Sequence, residues 1–300
     1  MGIYIDLHIH SCCSNDGLLS PEEIVAKAKQ LDFKTIAIAD HDTVDGIEEE
    51  MRTGIKHDLE IIPAIEVTTE LNTHFYHILA YFIDPANDYI VQLISRLKET
   101  RKKKNLHRIC FIKEMGLAVP EEIIKVIERG ELIVGPTLSI AVMDCEQNQD
   151  HATVNLLKRR SKKEYSILFY KEIIKEIDRK YSERRWLSTL EAIKVINEAG
   201  AIPVLAHPGS HLFYASPENI TLLQHHGLKG IEVYSSYHSE TQQTFYKEIA
   251  LQNGLIITGG SDFHGKVKPH VTFGSLKLDD YTIVEQLKTA ARDWGLGNRE

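Results

Sequence analysis

The sequence predicts an α/β fold built on a mostly parallel sheet or barrel and carrying a helical insertion. Three observations lead there. Short β-like runs alternate with helical patterns at both ends of the chain, and a charge-dense helical stretch from about residue 87 to 188 interrupts them. The strand ends, moreover, repeatedly carry histidine or an acid.

The elements follow in order. "IYIDLHI" (3–9) is the first strand, and "SPEEIVAKAKQLD" the first helix, with Ser20 as N-cap, Pro21 as the first helical residue and Glu22 and Glu23 in the favoured first turn. "KTIAIAD" (34–40) is the second strand, ahead of an acidic helix from about Val44, and "LEIIPAIEVTTE" and "HFYHILAYFI" are the third and fourth. The insertion reads as helices through "YIVQLISRLKETRKKKNLHRICFIKEMG", "PEEIIKVIERG" and "SILFYKEIIKEIDRKYSERRW". Its charge run at 96–105 reads as a solvated helix face, with binding of a substrate phosphate as the alternative. The strand rhythm then resumes in "AIPVLAHP", "GIEVYSS" and "LIITGGSD". The expected organisation is one domain from residues 1–86 and 189–300, interrupted by a second from 87–188.

Composition narrows the chemistry. With 300 residues and 43% hydrophobic content, the chain can bury a core without disulfide or metal staples. Its 35 basic and 43 acidic residues give a net charge of −8, which exerts no general pull on nucleic acid or a membrane surface. An anionic substrate then needs local positive charge, which a cluster of divalent metals supplies. No run of 18 apolar residues occurs, and the N-terminal segment lacks the basic flank and apolar core of a signal peptide, so a soluble cytoplasmic protein is expected. The four cysteines form no CxxC pair and read as reduced thiols.

In parallel α/β folds, sites form where strand C-termini meet the following loops. His8 and His10 close the first strand, Asp40, His41 and Asp42 the second, and Glu66 the third; His77 lies in the fourth, His207 follows "VLA", and Asp262 and His264 follow "ITGGS". Residues scattered by chance would not track strand ends in this way. The i, i+2 spacing of His8 and His10 puts both imidazoles on one face of a strand. Asp262 and His264 repeat it with a hard carboxylate beside a borderline imidazole, which suits manganese, zinc or iron rather than calcium.

Taken together, "DLHIHS", "DHDTVDG", "AIEVTTE", "HFYHILAYFID", "VLAHPG", "GIEVYSS" and "GGSDFHG" resemble the PHP (polymerase and histidinol phosphatase) family of metal-dependent phosphoesterases. The resemblance covers roughly residues 3–86 and 189–274. It implies a distorted (β/α)7 barrel holding two or three divalent transition metals (Mn, Zn or Fe), and its small-molecule branch, which includes 3',5'-nucleoside bisphosphate phosphatases, carries a helical insertion or cap. Carried onto this chain, it places His8, His10, Glu66 and Asp262 around a first metal. Glu66 bridges to a second held by His77 and His207, and Asp16, His41 and His264 hold a third.

Alternatives stand beside several of these residues. Asp40 or Asp42 can replace His41 as ligand, with Asp40 otherwise a supporting partner. His74 competes with His77, because two residues three apart in a strand face opposite ways. Glu232 and Tyr234 read as core or as support for the ligands, His238 as a contact for phosphate, and His211, His225 and His226 as surface. Asp16 follows His10 by six residues where the family pattern has five, so its loop holds one added residue. Cys12 and Cys13 in that loop read as neutral thiols.

The resemblance implies hydrolysis of a small phosphate ester, a nucleotide or nucleoside bisphosphate among them, by a metal-bridging hydroxide. His207, Asp262 and His264 are the candidates for assisting proton transfer. No P-loop, GxSxG elbow or dinucleotide loop competes with this reading. Relatives in the branch often show "RPH" in the insertion where this chain has Gly135, Pro136 and Thr137. Arg101, with Lys102 or Arg108, is then the expected phosphate contact. The alternatives from other classes are an amidohydrolase-like C–N or lactone hydrolase and a non-catalytic metal-binding PHP module.

Overall fold

Among the described residues, eight strands organise the computed structural model: β1 (Tyr4–Ile9), β2 (Phe33–Ile38), β3 (Glu60–Ile61), β4 (Ala64–Leu71), β5 (His74–Tyr81), β6 (Ile202–Leu205), β7 (Gly230–Ser235) and β8 (Ile256–Gly260). The structure describes residues 4–293 apart from 15, 73, 132, 181–186, 211–213, 266–267 and 277, so the expectation for His211 falls outside the described residues. Strands β1, β2 and β3 form one parallel sheet, and β4 to β8 a second in sequential order. In the second, β4 to β5 and β5 to β6 are antiparallel, while β6 to β7 and β7 to β8 are parallel. This second sheet is thus half antiparallel rather than mostly parallel, and the hairpin at its β4 edge has register Glu66↔Leu79 and Thr68↔His77. His77 comes from mid-strand rather than from the C-terminal end of a parallel strand.

Two other boundaries differ from the sequence reading, for local reasons. "LEIIPAIEVTTE" splits into β3 and β4 around Pro63, which has no N–H to give a ladder. The acidic helix begins at Ile47 rather than Val44, after Asp42 takes a left-handed φ of 53°. The first helix, α1 (Pro21–Gln30), starts as its sequence requires: Glu23 N–H donates to Ser20 Oγ at 3.2 Å, and Ser20 N–H donates to Glu23 Oε2 at 2.8 Å.

Isolated bridges link the two sheets. Ile9 pairs in parallel with Phe263, just beyond β8, and His41 with Glu66, just beyond β2. Gly260 makes the first junction possible, since a Cβ there would lie 2.2 Å from His8 Cβ. Ile5, Leu7, Leu79, Tyr81 and Val204 build one core under the sheets with Ile283, Val284 and Leu287 of the helix Thr282–Asp293. Ile9, Ile36 and Ile38 build another with Ile24, Val25 and Ala28 of α1. On β1 the odd positions Ile5, Leu7 and Ile9 are spent on these cores, so Asp6, His8 and His10 share the other face.

The chain divides into two compact units, one of Met1–Cys13, Gly17–Ile94 and Trp186–Glu300, the other of Ser14–Asp16 and Ser95–Arg185. The second unit is helical and has its own core, in which Ile112, Leu138, Val142, Met143, Phe169 and Ile174 are buried. In it, Arg108 forks onto Asp178 at 2.9 and 2.7 Å, and Lys104 reaches the same carboxylate at 2.9 Å. The charge run at 96–105 is therefore divided: Lys103 pairs with Glu99 on the surface, whereas Arg101, Lys104 and Asn105 are buried. Gly135 begins the helix Gly135–Asp144 where a Cβ would meet the Tyr170 ring at 2.5 Å, which gives that glycine a packing reason. Among the described residues, no helix is long and apolar enough to cross a membrane.

Candidate metal centre

The strand ends converge on Glu66, whose side chain is fully buried. Its Oε1 lies 2.8 Å from His77 Nδ1 and 2.9 Å from His207 Nε2. Its Oε2 lies 3.0 Å from His41 Nδ1, 3.2 Å from His10 Nε2 and 3.3 Å from His8 Nε2. Asp262 Oδ1 closes the set at 3.0 Å from His10 Nε2 and 3.5 Å from His8 Nε2. Three groups of side chains offer atoms close enough to share a metal ion: His8, His10, Glu66 and Asp262; His41, Glu66 and His77; and His10, His41 and His264.

The first group fits a metal. His8 Nδ1 lies 2.9 Å from Glu232 Oε1, so that nitrogen carries the proton and Nε2 turns its lone pair inward. There it meets His10 Nε2 at 3.1 Å. Glu66 Oε2 and Asp262 Oδ1 are buried oxygens that complete no hydrogen bond of good geometry. Bonds of ~2.1 Å in a tetrahedron set ligand atoms about 3.4 Å apart, and the contacts among these four residues run from 3.0 to 3.5 Å. Nitrogen and carboxylate donors in this mixture suit a divalent transition metal.

Electrostatics of the chain alone show what the metal would replace. Burial pulls the His10 imidazole pKa down, but Asp262 and Glu66 override it and raise the value from 6.5 to about 9. His8 is likewise raised against its burial, by Glu232, Glu66 and Asp262. Burial works to raise the Glu66 pKa, yet His41, His77 and His8 hold it well below the usual carboxylate range. Burial outweighs the pull of Glu66 at His77 and takes that imidazole down to about 3, which keeps it in the neutral form that binds metals. Protons on His8 and His10 thus stand where a cation can compete for the same lone pairs.

The backbone is strained at three strand ends. His207, Asp262 and Asp42 have φ of 29°, 55° and 53°, which non-glycine residues rarely adopt. Each is held by a hydrogen bond from its own N–H: His207 to Glu232 Oε2 at 2.8 Å, Asp262 to His8 O at 2.7 Å and Asp42 to Glu66 O at 2.9 Å. Asp40 accepts from Ser11 N–H and Oγ at 2.7 and 2.5 Å, and Asp42 accepts from Thr68 N–H at 2.8 Å. Both acids therefore tie loops together, while His41 offers its ring to the cluster.

Several other sequence expectations resolve at this level. His77 is buried on Glu66, whereas His74 is exposed, with its Nδ1 2.9 Å from Asn72 O. His264 Nδ1 lies 2.9 Å from Asp262 O and its ring stacks on His10 at 3.9 Å. Asp16 is not among the three metal-binding groups: it accepts from Ser14 Oγ at 2.6 Å, belongs to the helical unit and interacts electrostatically with Arg101. That serine ends a 3₁₀ turn at Cys12–Ser14. Burial, and then Arg108, lowers the Arg101 pKa to about 10.

For His238, read from the sequence as a phosphate contact, the structure gives backbone partners. Its Nδ1 lies 2.7 Å from Val233 O, and its Nε2 accepts the Gly209 N–H at 2.9 Å. With both nitrogens committed to backbone groups, the ring pins the loop that follows His207. Cys13 is held as a thiol, its pKa pushed up to about 11 by burial and by Asp40, and Cys12 is raised for the same reasons.

The sequence reading missed Asp6, Lys268 and Tyr237. Asp6 lies on the His8 and His10 face and accepts from Ser261 N–H at 2.8 Å, with its pKa raised by burial to about 6. The i, i+2 pattern "DLHIH" carries that signal. Lys268 Nζ is 2.6 Å from Asp262 Oδ2, from a loop in which no periodicity marks it.

Known proteins resemble this chain in sequence and in fold. The chain is 26% identical over 269 residues to the 5'-3' exoribonuclease Rnm of Escherichia coli, covering 87% of this chain and 85% of that protein. It is 27% identical over 263 residues to a 3',5'-nucleoside bisphosphate phosphatase of Chromobacterium violaceum, covering 87% of each. A solved structure from Bifidobacterium adolescentis, described as a candidate metal-dependent phosphoesterase, superposes with a TM-score of 0.78 at 25% identity over 95% of this chain and 96% of that one. The PHP domain model matches residues 6–248, a span running from Asp6 through Glu66 and His207 to the helix after His238. This chain belongs to the PHP domain family.

Proposed function

We propose that this chain is a metal-dependent phosphoesterase that hydrolyses a small phosphate ester, with nucleotides and nucleoside bisphosphates as the leading substrate class. The observation that carries the reading is Glu66, fully buried and within 3.3 Å of His8, His10, His41, His77 and His207 at once. One carboxylate shared among five imidazoles suits metals held side by side. Two or three divalent ions (Mn, Zn or Fe) are proposed, with His8, His10, Glu66 and Asp262 as the first set of ligands. His77 and His207 extend the second, and His41 and His264 the third.

When bound, such metals polarise phosphoryl oxygens and lower the pKa of water. The chain's own residues do the rest. Glu232 fixes the tautomer of His8 and, through the His207 N–H, the position of a second ligand. Asp6 and Ser261 anchor the strand-to-loop passage that places Asp262 and His264. His264, whose Nδ1 faces a backbone carbonyl, offers Nε2 for holding or passing a proton, and His207 and Asp262 are the other proposed participants. Arg101, in the charge run at 96–105, is the proposed contact for an outer phosphate.

The two bridged sheets support a distorted (β/α)7 barrel for residues 1–86 and 189–300, with 87–188 as an inserted domain. The net charge of −8 favours small esters over long nucleic acid. The test is phosphate release by the metal-loaded protein from a panel of 3',5'-bisphosphates, nucleotides, cyclic phosphates and 5'-phosphorylated RNA. Turnover concentrated in the small esters supports the proposal. Turnover of RNA alone moves the substrate class to the nucleic acid, and no turnover anywhere sinks the reading.

A further inference from the structure

Lys268 is a cation placed at the edge of a cation site. Its Nζ lies 2.6 Å from Asp262 Oδ2, while Asp262 Oδ1 faces His10 and His8 at 3.0 and 3.5 Å. One carboxylate therefore joins an ammonium group to the ligand cluster. Beside it stands Tyr237, whose buried hydroxyl lies with Lys268 and Asp262 but completes no hydrogen bond of good geometry. The Tyr237 ring is edge-on to His207 at 5.8 Å, and Lys268 Nζ lies 5.3 Å from its centroid.

A lysine that only neutralised Asp262 would lose that purpose once a divalent ion shared the carboxylate, and like charges would then oppose each other. An anion between them removes the conflict. An ammonium group has three donors, of which Asp262 Oδ2 takes one. The Lys268 side chain is 27% exposed, whereas the Asp262 side chain is 1% exposed, so of the two it is the lysine that solvent reaches. Lysine binds phosphate as a point charge, and a buried tyrosine hydroxyl aimed at the same place adds a fixed dipole.

We propose that Lys268 Nζ and Tyr237 OH clamp a phosphoryl oxygen of the substrate on the Asp262 side of the cluster. This rests on the phosphoesterase reading above and adds two substrate-binding residues to it. The ligand class is a phosphate group that keeps a non-bridging oxygen turned away from the histidines.

The test compares wild type with Lys268→Met, Lys268→Arg and the near-isosteric Tyr237→Phe, all metal-loaded. Bound metal per chain, inhibition by inorganic phosphate, and KM and kcat are measured for each. The clamp predicts unchanged metal content, weakening of inorganic phosphate by about tenfold or more in Lys268→Met, and a rise in KM. Most of the affinity returns in Lys268→Arg, and Tyr237→Phe shows a smaller loss. Wild-type phosphate affinity in both Lys268→Met and Tyr237→Phe overturns the clamp. So does loss of metal in Lys268→Met together with wild-type phosphate affinity in Tyr237→Phe, which makes Lys268 a structural partner of Asp262. A wild-type chain that neither turns over an ester nor binds inorganic phosphate would instead fail the phosphoesterase reading itself.

Discussion

Glu232 serves two ligands at once: its Oε1 lies 2.9 Å from His8 Nδ1, and its Oε2 accepts the His207 N–H at 2.8 Å. The sequence places this acid in "GIEVYSS", in the middle of β7, where it reads equally as core or as support. In Glu232→Gln only one oxygen remains to accept, so either His8 loses its fixed tautomer or His207 its backbone anchor. Metal affinity is expected to fall by roughly 10–100-fold. Competition with a chromophoric chelator measures this, with circular dichroism confirming that the fold is kept.

The raised imidazole pKa values give the metal-free chain a pH dependence with a defined sign. His10 rises from 6.5 to about 9 on folding, and His8 is raised as well. The stability they contribute is fully present below pH ~6.5 and is lost as pH rises through about 9. Thermal unfolding of the metal-free protein should therefore fall in Tm across that window. Added Mn²⁺ or Zn²⁺ should bind more tightly as pH rises through it, because the metal displaces those protons. Calorimetric titration in two buffers of different ionisation enthalpy would detect the release.

His238 separates a structural histidine from a phosphate-binding one. Both of its ring nitrogens bond to backbone groups, so His238→Ala should cost about 1–3 kcal/mol of stability through the freed Gly209 N–H and Val233 O. KM for the preferred ester should stay near wild type wherever the variant is folded. A KM rise comparable to that predicted for Lys268→Met would return His238 to the role read from its sequence.

Much of the centre was legible in the chain because it is encoded by period. Extended backbone puts Asp6, His8 and His10 on one face, and the odd positions are visibly apolar. The strand-end rule found Glu66, His207, Asp262 and His264 in the same way. It did not announce that β5 runs antiparallel, so His77 was found by its motif rather than by its position. What stayed hidden depends on backbone partners and loops. Hydrogen bonds to Val233 O and Gly209 N–H leave no pattern that reveals the task of His238. Lys268 lies in a loop without periodicity, and the hydrogen bond from Ser14 Oγ to Asp16 follows a turn that spacing alone does not define.

The account rests on the cluster around Glu66 being a metal centre that cleaves phosphate esters, and metal stoichiometry tied to turnover tests it most directly. Metal-free protein is titrated with Mn²⁺, bound metal per chain is counted, and phosphate release is followed at each point. The account predicts activity that rises with occupancy and reaches its plateau only when more than one ion is bound, with His10→Ala and Asp262→Ala inactive at every metal concentration. Less than one ion per chain without phosphate release, or turnover that survives both substitutions, would contradict it.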